Sequence, residues 1–109
     1  MKLVEQKCVP CQVGEPPLSA AEAEALAREA PRWALEDKAI ERQFQFKDFV
    51  EAMGFVNEVA AIAEEQGHHP DICISWNKVR LTLSTHKIGG LSCNDFILAA
   101  KIDALVDRA

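Results

Sequence analysis

Every histidine in the chain falls between residues 64 and 86. The run opens Glu64-Glu65-Gln66-Gly67-His68-His69-Pro70, and it closes Thr82-Leu83-Ser84-Thr85-His86. An unperturbed imidazole titrates at about pH 6.5, so grouped histidines suit proton transfer at neutral pH. Three ring nitrogens also suit a zinc ion. A hydrogen-bonded structural cluster is the third reading. Spacing alone gives the three equal weight.

The elements around the histidines decide whether they meet. Ile72, Ile74 and Trp76 alternate with Asp71, Cys73, Ser75 and Asn77. Val79, Leu81 and Leu83 alternate with Arg80, Thr82, Ser84 and His86. Both runs have period two, the pattern of half-buried strands. A tight hairpin turn at Asn77-Lys78 is expected between them. That register sets Trp76 against Val79, Ile74 against Leu81 and Ile72 against Leu83 on one apolar face, with Trp76 in the core. The same register sets His69 opposite His86 on the polar face. That face, with Thr82 and Ser84, is left for a ligand or partner.

The histidines sit within a longer pattern. Glu64-x-x-x-His68-His69-Pro70 is followed by Trp76-Asn77-Lys78-Val79 and by Thr82-Leu83-Ser84-Thr85-His86. Gly90-Leu91-Ser92 and Asp95 come after. This pattern resembles the pterin-4a-carbinolamine dehydratase family, without a gap from residue 64 to about residue 103. Many relatives carry an aromatic after the His-His-Pro-acid run, where this chain has Ile72.

The resemblance implies a hydro-lyase acting on a 4a-hydroxytetrahydropterin, the carbinolamine left when an aromatic amino acid hydroxylase turns over. The product is quinonoid dihydropterin plus water, within tetrahydrobiopterin recycling. One group protonates the departing hydroxyl and another removes the proton on N5. The reaction changes no oxidation state, so it calls for no cofactor and no metal. The resemblance makes His68, His69 and His86 the catalytic histidines. The expected register makes His69 and His86 the facing acid–base pair, with His68 orienting the pterin. Asp95, Glu64, Ser84 and Thr85 are placed with the substrate, Asp95 and Glu64 holding either ring hydrogen-bond donors of the pterin or a histidine tautomer. The family also includes dimerisation cofactors of a transcription factor, so a non-enzymatic partner role is the alternative reading.

Composition sets the outer limits. A chain of 109 residues that is 49% apolar and 27% charged is expected to be one domain with a modest core. A net charge of -5 argues against direct nucleic-acid binding. The charged start Met1-Lys2-Leu3-Val4-Glu5-Gln6 does not read as a signal peptide. No apolar stretch approaches the roughly 20 residues of a membrane span. A cytoplasmic location is therefore expected, with Cys73 and Cys93 as reduced thiols.

Residues 1–18 read as an irregular arm, and residues 19–109 as the domain proper. Cys8-Val9-Pro10-Cys11 within the arm is half of a zinc site or a redox pair. The arm is expected to be dispensable for catalysis. Ser19-Ala20-Ala21-Glu22 is a capping box, opening a helix that Pro31 stops. Short strands follow at residues 33–36 and 40–46, with Arg42 interrupting the apolar face. Asp48 opens the main helix, whose stripe is Phe49, Met53, Val56, Ala60 and Ala63, widened by Phe55, Val59 and Ile62, and Gly67 ends it. Ser92 caps a last helix, with Asp95 at its third position.

The order α-β-β-α-β-β-α predicts an α+β domain with a single four-stranded antiparallel sheet and three helices on one face. The long helix and the last helix are apolar around much of their circumference, with Ile97, Leu98, Ile102, Leu105 and Val106 in the latter. A homodimer or homotetramer is expected to cover the surplus.

Overall fold

The computed structural model describes residues 2–10, 12 and 14–107. A 3-10 turn over Leu3–Glu5 precedes α1 (Ala20–Ala27), β1 (Ala34–Leu35), β2 (Ile40–Gln45) and α2 (Phe49–Gln66). The chain continues through β3 (Asp71–Ser75), β4 (Lys78–Leu83), a second 3-10 turn over His86–Ile88, and α3 (Cys93–Asp107). The strands form one antiparallel sheet in the order β1-β2-β4-β3. This is the expected α+β architecture. No helix among the described residues is long and apolar enough to cross a membrane.

Alternation in β2 and β4 puts one set of side chains on the helices. Ile40 pairs with Leu83, Arg42 with Leu81 and Phe44 with Val79. The five apolar members of these pairs are almost completely buried. Arg42 keeps its place on this face by pairing with Asp103 of α3 and lying 4.3 Å over the Phe44 ring. Trp33 Nε1 donates to the same Asp103 carboxylate at 2.9 Å. A guanidinium on an apolar face is tolerable when its charge is paired and its plane stacked.

Asp48 caps α2 by accepting the Glu51 amide at 2.9 Å. The buried stripe of α2 is Ala52, Phe55, Val56, Val59 and Ala63. It is rotated from the expected one, leaving Phe49 and Ala60 exposed. Phe55 fixes the rotation by stacking on Phe44 and Phe46, with centroids 4.7 and 5.0 Å apart. Residues Asn94 to Ala99 and Ile102 of α3 are buried within the chain. The helix expected to be left apolar for a partner is therefore largely covered by its own sheet, α2 and the arm, through Leu3.

The β3–β4 hairpin departs from expectation. Ser75 pairs with Lys78, Ile74 with Val79 and Ile72 with Leu81, so the turn is Trp76-Asn77 rather than Asn77-Lys78. Asn77 is held by strand-end contacts: its Nδ2 donates to Phe46 O at 2.9 Å, and its carbonyl accepts the Phe46 amide at 2.8 Å. These bonds leave the left-handed conformation to Trp76, with φ 50°. Trp76 is 63% exposed and takes no part in the core. Partners shift by two, so the faces survive but the expected pairing of His69 with His86 does not. His86 lies beyond the end of β4.

Candidate active site

Two turns bring the histidines to one end of the sheet. Gly67 takes left-handed backbone, φ 66° and ψ 28°, and the amides of Gly67 and His68 both reach the Ala63 carbonyl. A glycine adopts this conformation without a Cβ clash, which ends α2 and releases His68 and His69. Pro70 then leads the chain into β3. On the neighbouring strand, Thr85 forms an isolated bridge with Gly90, its amide 2.8 Å from the Gly90 carbonyl. The loop between them contains the 3-10 turn that presents His86.

Each of the first two histidines is held by a carboxylate. His68 Nε2 lies 2.6 Å from Asp95 Oδ1. Asp95 is fully buried, and its Oδ2 accepts the Ser92 amide and the Thr85 hydroxyl, each at 2.9 Å. The Thr85 proton points at Asp95, so in the 2.8 Å contact between the two hydroxyls Ser92 donates to Thr85. The carboxylate thus has three partners, which makes its burial tolerable. Asp95 also performs half of the capping box expected with Ser92. His69 Nε2 lies 2.5 Å from Glu64 Oε2, with both side chains mostly in solvent. The His86 ring is exposed and bonds no carboxylate among the described residues.

His68, His69 and His86 line a cleft of about 330 Å³, together with Ser84, Thr85 and Lys87. Asp95 and Glu64 stand behind the histidines rather than in the wall. The cleft opens at the end of the sheet and not on its polar face, where Thr82 lies near Glu41. A larger depression of about 440 Å³, between the start of α1, the β1–β2 turn and residues 89–91, contains no histidine. Among the described residues, no three His, Cys, Asp or Glu side chains converge on a point that could hold a metal ion.

Six lining residues were not among the expected site residues: Val9, Pro10, Gln66, Gly67, Lys87 and Asn94. The arm, expected to be dispensable, reaches the site. Cys8 N donates to Gln66 Oε1 at 2.9 Å, and Val9 N donates to Asn94 Oδ1 at 3.0 Å. Asn94 Nδ2 donates back to Val9 O at 2.6 Å. No periodicity links residue 9 to residue 94. The one available signal was the position of Asn94 beside Asp95. Cys11, the second cysteine of the arm, lies outside the described residues.

The comparisons agree on one family. The profile for pterin 4 alpha carbinolamine dehydratase matches residues 16–105. A protein of Rubrobacter xylanophilus, provisionally named pterin-4-alpha-carbinolamine dehydratase, is 50% identical over 105 residues, covering 95% of this chain and 98% of its own. One of Methylococcus capsulatus with the same provisional name is 50% identical over 109 residues, covering 98% and 96%. A crystal structure described as a transcriptional coactivator/pterin dehydratase from Brucella melitensis superposes with a TM-score of 0.78 at 35% identity, covering 82% of this chain and 97% of that one. A pterin dehydratase-like protein, described as a RuBisCO assembly factor in the alpha-carboxysome, gives a TM-score of 0.56 at 27% identity, covering 68% and 86%.

Proposed function

The chain belongs to the pterin 4 alpha carbinolamine dehydratase family of hydro-lyases, and we propose that its histidine cleft removes water from a 4a-hydroxytetrahydropterin by acid–base catalysis. The observation that carries this reading is the unequal support of the three imidazoles around one cleft. His68 rests on a buried carboxylate, His69 on a solvated one, and His86 on neither.

Unequal support separates the roles. A carboxylate on one ring nitrogen fixes the tautomer and the ring orientation, which leaves the other nitrogen to accept a proton. His68 is the base in this scheme. Its Nε2–H donates to Asp95, so Nδ1 takes the proton from N5 of the substrate. His86 bonds no carboxylate among the described residues, so its ring is free to reach the substrate, and it gives its proton to the 4a-hydroxyl. The C4a–O bond breaks as the N5 lone pair forms the new C=N bond, and water leaves. The proton count closes, because His86 loses one and His68 gains one. His69, held by Glu64 at the rim, orients the pterin, and Ser84 and Thr85 bond its polar edge. These roles replace the facing pair of His69 and His86, whose basis was the register that the hairpin does not adopt.

The direct test is dehydration of freshly generated 4a-hydroxytetrahydropterin, followed spectroscopically against the spontaneous rate. A rate indistinguishable from the spontaneous one would overturn the proposal. The recycling context, supply of the substrate by an aromatic amino acid hydroxylase, and a cytoplasmic setting follow as part of the same reading.

The second reading is a partner role. It is favoured by β3, an edge strand whose five residues are all exposed. Its simplest occupant is a second copy of the chain, giving a homodimer or a higher homo-oligomer, and binding to a different protein is the alternative. Capture of a specific partner by a variant without turnover would separate partner binding from catalysis.

A further inference from the structure

The cleft lacks something that a flat heteroaromatic substrate needs. Apart from residues of the arm, its lining is polar or glycine: Gln66, Gly67, the three histidines, Ser84, Thr85, Lys87 and Asn94. A fused ring system presents two broad faces with little hydrogen-bonding capacity, and these are best held by apolar surface. Ile72, in the place where many relatives carry an aromatic, lies on the helix-facing side of β3 and is not part of the lining. Among the described residues, the apolar side chains of the cleft are Val9 and Pro10.

Their backbone is fixed by the elements that carry the chemistry. Gln66, two residues before His68, takes the Cys8 amide. Asn94, adjacent to Asp95, takes both the amide and the carbonyl of Val9 in a two-point clasp like a rung of a sheet. Asn94 is itself only 5% exposed, so its amide is costly to leave without these bonds. Proline has no amide hydrogen to satisfy. With these groups occupied, the segment offers the cleft an apolar surface, and Val9 remains 66% exposed there.

We propose that Val9 and Pro10, clasped by Asn94 and Gln66, form the wall on which the ring face of the pterin lies. They are positioning residues that act on substrate binding rather than on proton transfer. The proposal rests on the cleft being the pterin site.

The test uses the full-length chain and four variants. Val9→Ser removes apolar surface and keeps the clasp. Val9→Leu keeps the surface. Asn94→Ala releases the clasp. His86→Ala marks loss of chemistry. Turnover is measured on the carbinolamine, and binding on 7,8-dihydrobiopterin, which cannot undergo the elimination. Val9→Ser should raise KM and the dihydropterin Kd together by about fivefold to tenfold, the effect of losing one or two methyl contacts. Its kcat should stay within about twofold, since a residue that binds ground and transition states alike leaves kcat unchanged. Val9→Leu should match wild type, and Asn94→Ala should follow Val9→Ser or exceed it.

Two results overturn the wall, and they differ. If wild type binds and turns over while folded Val9→Ser is unchanged in KM and Kd, the wall falls and the pterin site stands. If wild type neither binds the dihydropterin nor accelerates dehydration, both fall.

Discussion

At the residue scale, solvent exposure sets how far rate and stability separate. His86 is exposed and bonds no carboxylate, so His86→Ala should cost about 1 kcal/mol of stability or less. Its turnover should nonetheless fall by roughly 100-fold or more, the size of one lost proton transfer. His68→Ala should lose rate similarly but also cost about 1–3 kcal/mol, because it strips a partner from the buried Asp95. His69→Ala, at the solvated rim, should lose the least rate. The double variant of His68 and His86 should be little slower than the slower single one, since residues acting as a unit are not additive. Rates and denaturant midpoints on the same proteins decide the matter. Near-normal turnover in folded His68→Ala and His86→Ala would sink the catalytic assignment. The three histidines, Ser84 and Thr85 were legible because they lie in one continuous pattern. That Asp95 could hold a histidine was legible in kind beside its capping role, but which histidine it holds was not, because that depends on where α3 packs against the end of α2.

At the scale of elements, what was readable depended on where the determining contact sits. Strand identities, the Gly67 stop and the Ser19 capping box follow from neighbours in sequence, and the capping box is present with both bonds. The hairpin register was misread because Asn77 is held by Phe46, on a strand thirty-one residues earlier, and no local pattern encodes that bond. The closeness of Gly90 to Pro17 is a tertiary contact that no local pattern encodes. A Cβ at residue 90 would stand 2.8 Å from Pro17 Cβ. Gly90→Ala should therefore destabilise by about 1–3 kcal/mol through overpacking, seen as a lower denaturant midpoint. The end of α3 makes a pH-dependent contribution. Arg32 hydrogen-bonds Asp107 and holds its carboxyl below the ordinary 3.8. A depressed carboxyl stabilises the fold above its unfolded pKa, and that stability is lost as pH falls through the folded value. Asp107→Asn should flatten the stability profile below about pH 4 and change little at neutral pH, because the pair is solvated. An unchanged acid profile would show that the ion pair contributes nothing.

At the scale of the whole molecule, the exposed apolar surface is unevenly placed. Of the α3 residues first expected to seek a partner, Ile97, Leu98 and Ile102 are buried in their own chain and Leu105 and Val106 half-buried, whereas Ile72, Ile74 and Trp76 on the β3 hairpin are 38%, 39% and 63% exposed. β3 is an outer strand of the sheet, so one of its sides carries unpaired amides and carbonyls. Within it, only Asp71 is charged, and there is no proline or lysine to discourage pairing. Trp76 also carries a strained left-handed backbone, at a cost of about 1–2 kcal/mol for a residue of its kind. The Asn77–Phe46 bonds account for that backbone, and contact in an assembly would account for so bulky an aromatic being kept exposed there. Self-association through the β3 edge is therefore expected, with sedimentation at micromolar concentration showing a species heavier than the 12.0 kDa chain. Ile74→Lys should dissociate it by placing a charge at the edge. One chain already brings the three histidines to its cleft, so the dissociated variant should keep turnover within a few fold. Trp76→Gly should relieve the strain, raising the stability of the monomer by about 1 kcal/mol while weakening association. Wild type sedimenting only as a monomer would remove the reason offered for the exposed tryptophan. An Ile74→Lys monomer that has lost turnover while remaining folded would show instead that the cleft depends on the assembly.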